Sequence, residues 1–138
     1  MKRILIRACV FLLSAFSLVG MAQAQETDSA LAKRLLGQWQ ELRILDCEGY
    51  QQVMSLNANG SFEVKGILRA CDGNTPFTWR GNWEVQGGKL HYVTTFSDPV
   101  RVYPIGESFE DEILSVSESE WVMREQSTGN KSIAYRVR

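Results

Sequence analysis

From about residue 38 onward the apolar residues of this chain recur at every second position, and that period confines it to β-sheet. Phe77, Trp79, Gly81, Trp83 and Val85 alternate with Thr78, Arg80, Asn82 and Glu84; Phe62, Val64, Gly66 and Leu68 alternate with Ser61, Glu63, Lys65 and Arg69. Ile133, Tyr135 and Val137 repeat the pattern against Ser132, Arg136 and Arg138, and Leu90, Tyr92, Thr94 and Phe96 follow it less strictly. One buried and one wet face is what an antiparallel sheet presents. Turn-forming clusters punctuate the runs at Glu48-Gly49, Asn57 to Gly60, Asp72 to Asn74, Gly87-Gly88, Ser117 to Glu120 and Ser127 to Asn130. Between them the pattern predicts eight strands, over 38–46, 50–56, 61–69, 76–85, 89–96, 109–116, 120–126 and 131–138. Connections of hairpin length favour an up-and-down meander, and eight such strands close into a barrel that leaves no exposed edge. The expectation is an all-β fold, an eight-stranded antiparallel up-and-down barrel behind a short N-terminal helix. Residues 97–108 break the pattern, because Pro99 and Pro104 each lack a ladder donor.

The helix precedes Gly37. Asp28 or Ser29 can cap its start, Leu31 and Leu35 share a face, and Lys33 and Arg34 suit its C-terminal dipole. Upstream lie the three parts of an export signal. Lys2, Arg3 and Arg7 are followed by fourteen uncharged residues from Ala8 to Met21, then by the small residues of Ala22-Gln23-Ala24. A spanning helix needs roughly 20 apolar residues, so residues 1–24 are read as a cleaved signal peptide and 25–138 as one barrel domain. The expected location is periplasmic or secreted, with no membrane span in the mature protein. An oxidising compartment suits a bond between Cys47 and Cys71, the two cysteines of the mature part. Topology agrees: Cys47 follows the first strand and Cys71 the third, which puts both on one rim of a meander.

Charge narrows the function. Removing the signal takes three of fifteen basic residues and none of sixteen acidic ones, leaving a formal charge of −4. With no clustered Lys and Arg, a nucleic-acid partner is not expected. Two cysteines and His91 are too few for a zinc site, and His91 falls on the outward face. Glu107, Glu110, Asp111 and Glu112 read as a solvated acidic loop rather than a calcium site. No nucleophile and base are paired in the sequence, so neither catalysis nor a metal or cofactor is expected.

Gly37-Gln38-Trp39 directly after the helix, Asn59-Gly60-Ser61-Phe62, Gly81-Asn82-Trp83, Gly88-Lys89-Leu90 and a closing strand with Tyr135, Arg136 and Arg138 resemble the small bacterial lipocalin-like proteins of the calycin superfamily. The resemblance implies a cup closed near Trp39 and open at the rim of Cys47 and Cys71. It also implies that Arg136 or Arg138 stacks on Trp39. A middle lipocalin motif is missing. Leu35-Leu36-Gly37-Gln38-Trp39 and the cysteine pair are similar, too, to small periplasmic inhibitors of secreted metalloproteases. In those, a free N-terminal arm, here Gln25 to Ser29, would enter the protease.

The leading functional expectation is an exported protein that binds a small hydrophobic molecule. Alternatives are a metalloprotease inhibitor with a secreted protease as partner, or a filled barrel that serves as an envelope interaction protein. The residues expected to line a pocket are Arg43, Tyr50, Phe62, Trp79, Trp83, Tyr92, Trp121 and Tyr135, among inward positions that also include Gln52, Met54, Phe77, Thr94, Phe96 and Met123. Gly66 and Gly81 on the inner face leave room or mark bends. For the first strand two phases are open. Without a bulge Glu41, Arg43 and Leu45 follow Trp39 inward, and Arg43 can meet an anionic head group. With one, Leu42 and Ile44 face the core, and this phase is favoured because burying Glu41 and Arg43 unpaired is costly.

Overall fold

The computed structural model describes residues 26–99 and 103–138. The export signal expected at 1–24 lies outside the described residues. The chain opens with Thr27, whose hydroxyl accepts the Ala30 N–H and caps α1 (Asp28–Leu35). Thr27 therefore does the capping expected of Asp28 or Ser29, and the Asp28 carboxylate is free to reach elsewhere. It accepts the Gly87 and Gly88 N–H groups at 2.8 and 2.9 Å, which holds the carboxyl below its ordinary range. The helix is thereby fastened across the end of the barrel, with Leu31 and Leu35 buried beneath it.

Eight strands follow: β1 (Gly37–Leu45), β2 (Glu48–Leu56), β3 (Ser61–Ala70), β4 (Gly73–Gln86), β5 (Lys89–Asp98), β6 (Ser108–Val116), β7 (Glu120–Glu125) and β8 (Lys131–Arg136). Each pairs antiparallel with the next, and β8 returns to β1, so the barrel is closed in the expected order. The closing seam is short, however. Trp39↔Arg136 and Gln40↔Tyr135 pair across it, and beyond them the Val137 N–H donates to Gln38 O at 2.9 Å. A disulfide joins Cys47, between β1 and β2, to Cys71, between β3 and β4. Both cysteines sit on one rim, as the strand order required.

Trp39 sets the closed end. Its indole N–H donates to Leu35 O at 2.7 Å, and the Arg136 guanidinium lies 4.1 Å from its ring. Arg136 also donates to the carbonyls of Arg34, Leu36 and Glu118 at 2.6, 2.7 and 2.8 Å. One side chain thus covers the tryptophan and satisfies carbonyls at the end of α1 that have no intrahelical partner. Arg136 takes the stacking position; Arg138 lies beyond β8 and is exposed.

Three phase expectations are corrected. β1 and β2 pair without a slip from Gly37↔Leu56 to Leu45↔Glu48, so β1 carries no bulge. Glu41 goes inward, and Leu42 and Ile44 face out at 58% and 42% exposure. The predicted cost is avoided because Glu41 is not left unpaired. β8 is also inverted: Ala134 is buried, while Ile133, Tyr135 and Val137 are exposed. Its phase follows from partners, since Ala134 faces Trp121 of β7 and Arg136 faces Trp39 of β1. On β5, the register against β4 shifts between Arg80 and Gly81, so Thr95 is an extra residue. Phe96 is thereby turned outward over Arg80, 5.0 Å from the guanidinium, and Ser97 takes the inner place.

Candidate ligand-binding cavity

The two sides of the barrel interior differ. Along β3, β4 and β5 the inner face is filled by rings. Phe62 meets Trp79 edge-on at 4.8 Å, and Trp79 meets Tyr92 at 5.5 Å. The inner glycines belong to this filling. Phe62 lies opposite Gly81 and Phe77 opposite Gly66. A Cβ on Gly81 would fall 1.9 Å from Val93 O and one on Gly66 2.5 Å from Gln51 O, and each would also lie 2.7 Å from the facing ring, so both glycines allow a close backbone approach as well. These glycines leave room for aromatic rings rather than for a ligand. Tyr103 then closes over this side, stacked on Trp79 at 3.9 Å with the planes 12° apart. Burial pushes its phenol up to about 12.

Along β1, β2, β6, β7 and β8 the interior is open. A cavity of about 460 Å³ runs from Trp39 at the closed end to the rim at Gln126 and Ser127. Its lower part is apolar, with Trp39, Met54, Trp121, Met123 and Ala134; Trp79, Tyr92, Tyr103 and Phe109 form the wall it shares with the filled side. Its volume and walls match sites that hold small molecules. The indole N–H of Trp121, a residue 1% exposed, has no hydrogen-bond partner among the described residues.

The upper part of the cavity is charged. Glu41 is 8% exposed and accepts the Tyr50 hydroxyl at 2.6 Å and Gln52 Nε2 at 2.9 Å. Arg43 stands 3.5 Å from Glu125, which also accepts from the Thr128 hydroxyl at 2.7 Å. Asp111 accepts the Tyr92 hydroxyl and lies directly opposite Glu125 across the β6–β7 pair. Like charges facing across a sheet destabilise it. Burial first, then Glu125, push the Asp111 carboxyl up to about 7, against a backbone hydrogen bond from Gln126. Burial and the hydrogen bond to Glu41 hold the Tyr50 phenol well above its ordinary range.

Of the residues expected to line a pocket, Arg43, Tyr50, Trp79, Tyr92 and Trp121 come together around this cavity. Phe62 and Trp83 are buried but belong to the filled side and the closed end, where the Trp83 indole donates to Asn57 O at 3.1 Å. Tyr135 is displaced altogether; at 53% exposure it lies on the outer face. The acidic run is not a solvated loop either. Ser108–Val116 is a strand, so Glu110 turns out to Lys89 and His91, Glu112 to Arg124, and Asp111 turns in. Asp111, Glu125 and Tyr103 were missed. For Asp111 the available signal was its phase with Phe109 and Ile113; for Tyr103 the prolines removed any period.

This is a lipocalin-like barrel, an eight-stranded cup behind a short helix with a guanidinium covering the first-strand tryptophan. A solved lipocalin-like protein from Bacteroides uniformis is similar in fold, with a TM-score of 0.50 at 21% identity, covering 75% of this chain and 99% of the other. No family model matches the sequence. No curated protein matches it either.

Proposed function

We propose that this chain is an exported binding protein that takes one small, largely apolar molecule into its barrel. The observation that carries the reading is the half-hollow interior: about 460 Å³ with an aromatic wall, an apolar floor and polar groups gathered toward the rim. A barrel built only as an interaction scaffold has no need of such a space, since eight strands enclose an interior that side chains alone can fill. Export rests on the sequence of residues 1–24, and the disulfide is compatible with an extracytoplasmic location. The protease-inhibitor reading has less support, because residues 26–28 of the segment it needs as a free arm are engaged. Glu26 bonds Arg34 at 2.9 Å, Thr27 caps α1, and Asp28 holds the Gly87-Gly88 turn.

Native mass spectrometry of protein recovered from its own compartment tests the proposal. The expected result is a mass increment of one small molecule, with quenching of tryptophan emission when it is added back to stripped protein. Fully processed protein that carries no increment, and whose emission is indifferent to fatty acids, isoprenoids, haem and aromatic amines, would sink the reading.

A further inference from the structure

The charged upper half of the cavity bears on what kind of molecule it takes. Among the described residues, the ionisable groups turned inward are Glu41 and Arg43 from β1, Tyr50 from β2, Tyr92 from β5, Tyr103 from the β5–β6 connection, Asp111 from β6 and Glu125 from β7. Three are carboxylates and one is a guanidinium. More telling is how the donors are used. Tyr50 and Gln52 donate to Glu41, Tyr92 donates to Asp111, and Arg43 faces Glu125. An entering carboxylate would find the Tyr50, Gln52 and Tyr92 donors already engaged, and apart from Arg43 at the rim would meet negative charge. A carboxylate, by contrast, has about four acceptor positions. Glu41 accepts two hydrogen bonds and Asp111 two, one from Tyr92 and one from the Gln126 backbone, so acceptor capacity remains. A second observation is independent of the carboxylates. Trp121 lines the same cavity, is 1% exposed, and its indole N–H lacks a partner among the described residues.

We propose that the ligand of this cavity is a cation, a protonated amine on a compact aromatic or aliphatic body, with its ammonium held among Glu41, Asp111 and Glu125. The inference rests on the barrel binding a small molecule and names the class of that molecule. The ammonium donates to the carboxylates that the protein's own donors leave unsaturated. Tyr92, Phe109 and Tyr103 give it aromatic faces, whose negative quadrupole attracts positive charge. The body of the ligand fills the space down to Trp39 and Met54, where Trp121 offers one neutral donor to an acceptor atom. Juxtaposing Asp111 with Glu125 is unfavourable in the empty protein; a bound cation relieves that repulsion. Arg43 stands beside Glu125 on the rim side, and among the described residues neither Glu41 nor Asp111 has a cation paired with it.

The test is calorimetric titration with three probes of one shape: 2-(naphthalen-2-yl)ethylamine, 2-(naphthalen-2-yl)ethanol and 2-naphthylacetate. The amine is expected to bind at least tenfold more tightly than the alcohol and the acid more weakly than either. Glu41→Gln, Asp111→Asn and Glu125→Gln preserve shape, and each is expected to lower amine affinity by about tenfold while leaving alcohol affinity within twofold. Three separate variants keep the test alive if one of them fails to fold. Binding of the acid as tightly as the amine, or variants that lower both probes alike, would overturn the cationic assignment while leaving a hydrophobic binding protein. Failure of all three probes to bind the native protein would overturn this inference, while the mass increment on the recovered protein decides the binding reading separately.

Discussion

The two halves of this barrel are made of the same kind of strand and do opposite things with their inner faces. Across β3 to β5, rings meet rings and the glycines opposite them, so apolar area is buried with little space left over. Across β6, β7, β8, β1 and β2, the inner face holds a cavity and places Asp111 opposite Glu125. The first arrangement stabilises the fold. The second costs stability twice, through unfilled space and through buried like charge. Sites that act on other molecules are where such costs are expected, because a group arranged for a ligand is not arranged for its neighbours.

Truncation on both sides breaks or sharpens this comparison most strongly. Phe62→Ala removes a ring from the centre of the filled half and should cost about 3–5 kcal/mol in urea unfolding. Met123→Ala, equally buried but on the cavity wall, should cost about 2 kcal/mol, since part of its surroundings is already space. Equal costs would mean the halves are not differently packed. Next in size is the disulfide, which ties a turn of the open side to a turn of the filled side. Replacing Cys47 and Cys71 together by serine opens a loop of 24 residues and should lower stability by about 3 kcal/mol. Native mass spectrometry of the same variant should still detect bound ligand, because neither cysteine lines the cavity.

Protonation probes the open half directly. The Asp111 carboxyl titrates near 7 in the folded chain, above its ordinary 3.8. The folded state therefore holds this proton more tightly than the unfolded state does. The stabilisation it brings is complete below about pH 4 and is lost as pH rises through 7. Asp111→Asn should remove that dependence and raise the melting temperature at pH 8 relative to the native chain. Each pKa unit is worth about 1.4 kcal/mol, so the gain should be several degrees for a domain of this size. Thermal melts at pH 5 and pH 8 give the answer; an Asn variant with the native slope would relocate the titrating group.

How much of this was legible in the sequence depends on whether a residue's position is set locally. The strands were, because alternation and turn residues are local signals. Six of the eight predicted starts fall within one residue of the observed ones by that route alone, and the other two, at 50 and 76, begin late because Glu48-Gly49 and Gly73-Asn74 read as turns and are in fact strand. The aromatic half was legible too, since Phe62, Phe77 and Trp79 sit on strands whose apolar phase is the buried phase. What failed was set at a distance. Glu41 is tolerated inside because Tyr50 and Gln52 of the next strand reach it. Ala134 points inward because Trp121 faces it across β7 and β8. The open half was thus the harder half to read, for the same reason that it costs stability: its polar groups are matched to partners on other strands, or to a ligand, rather than to an apolar rule.

The smallest expected effect tests the inversion of β8. Reading apolar residues as buried would make Tyr135 a core residue, and its loss would then cost several kcal/mol. In the structure it stands 53% exposed opposite Gln40 on the outer face, while Ala134 lines the cavity. Tyr135→Ser should therefore change unfolding free energy by no more than about 0.5 kcal/mol and leave ligand affinity unaltered. Ala134→Leu is the informative partner. It adds three carbons to a wall of the cavity, so stability should move little while ligand affinity falls, measured by the same tryptophan quenching. A large loss of stability for Tyr135→Ser, with Ala134→Leu silent in binding, would put β8 in the opposite phase and return Tyr135 to the interior. The expected pair of outcomes instead keeps the open half open because a small residue stands where the pattern asked for a large one.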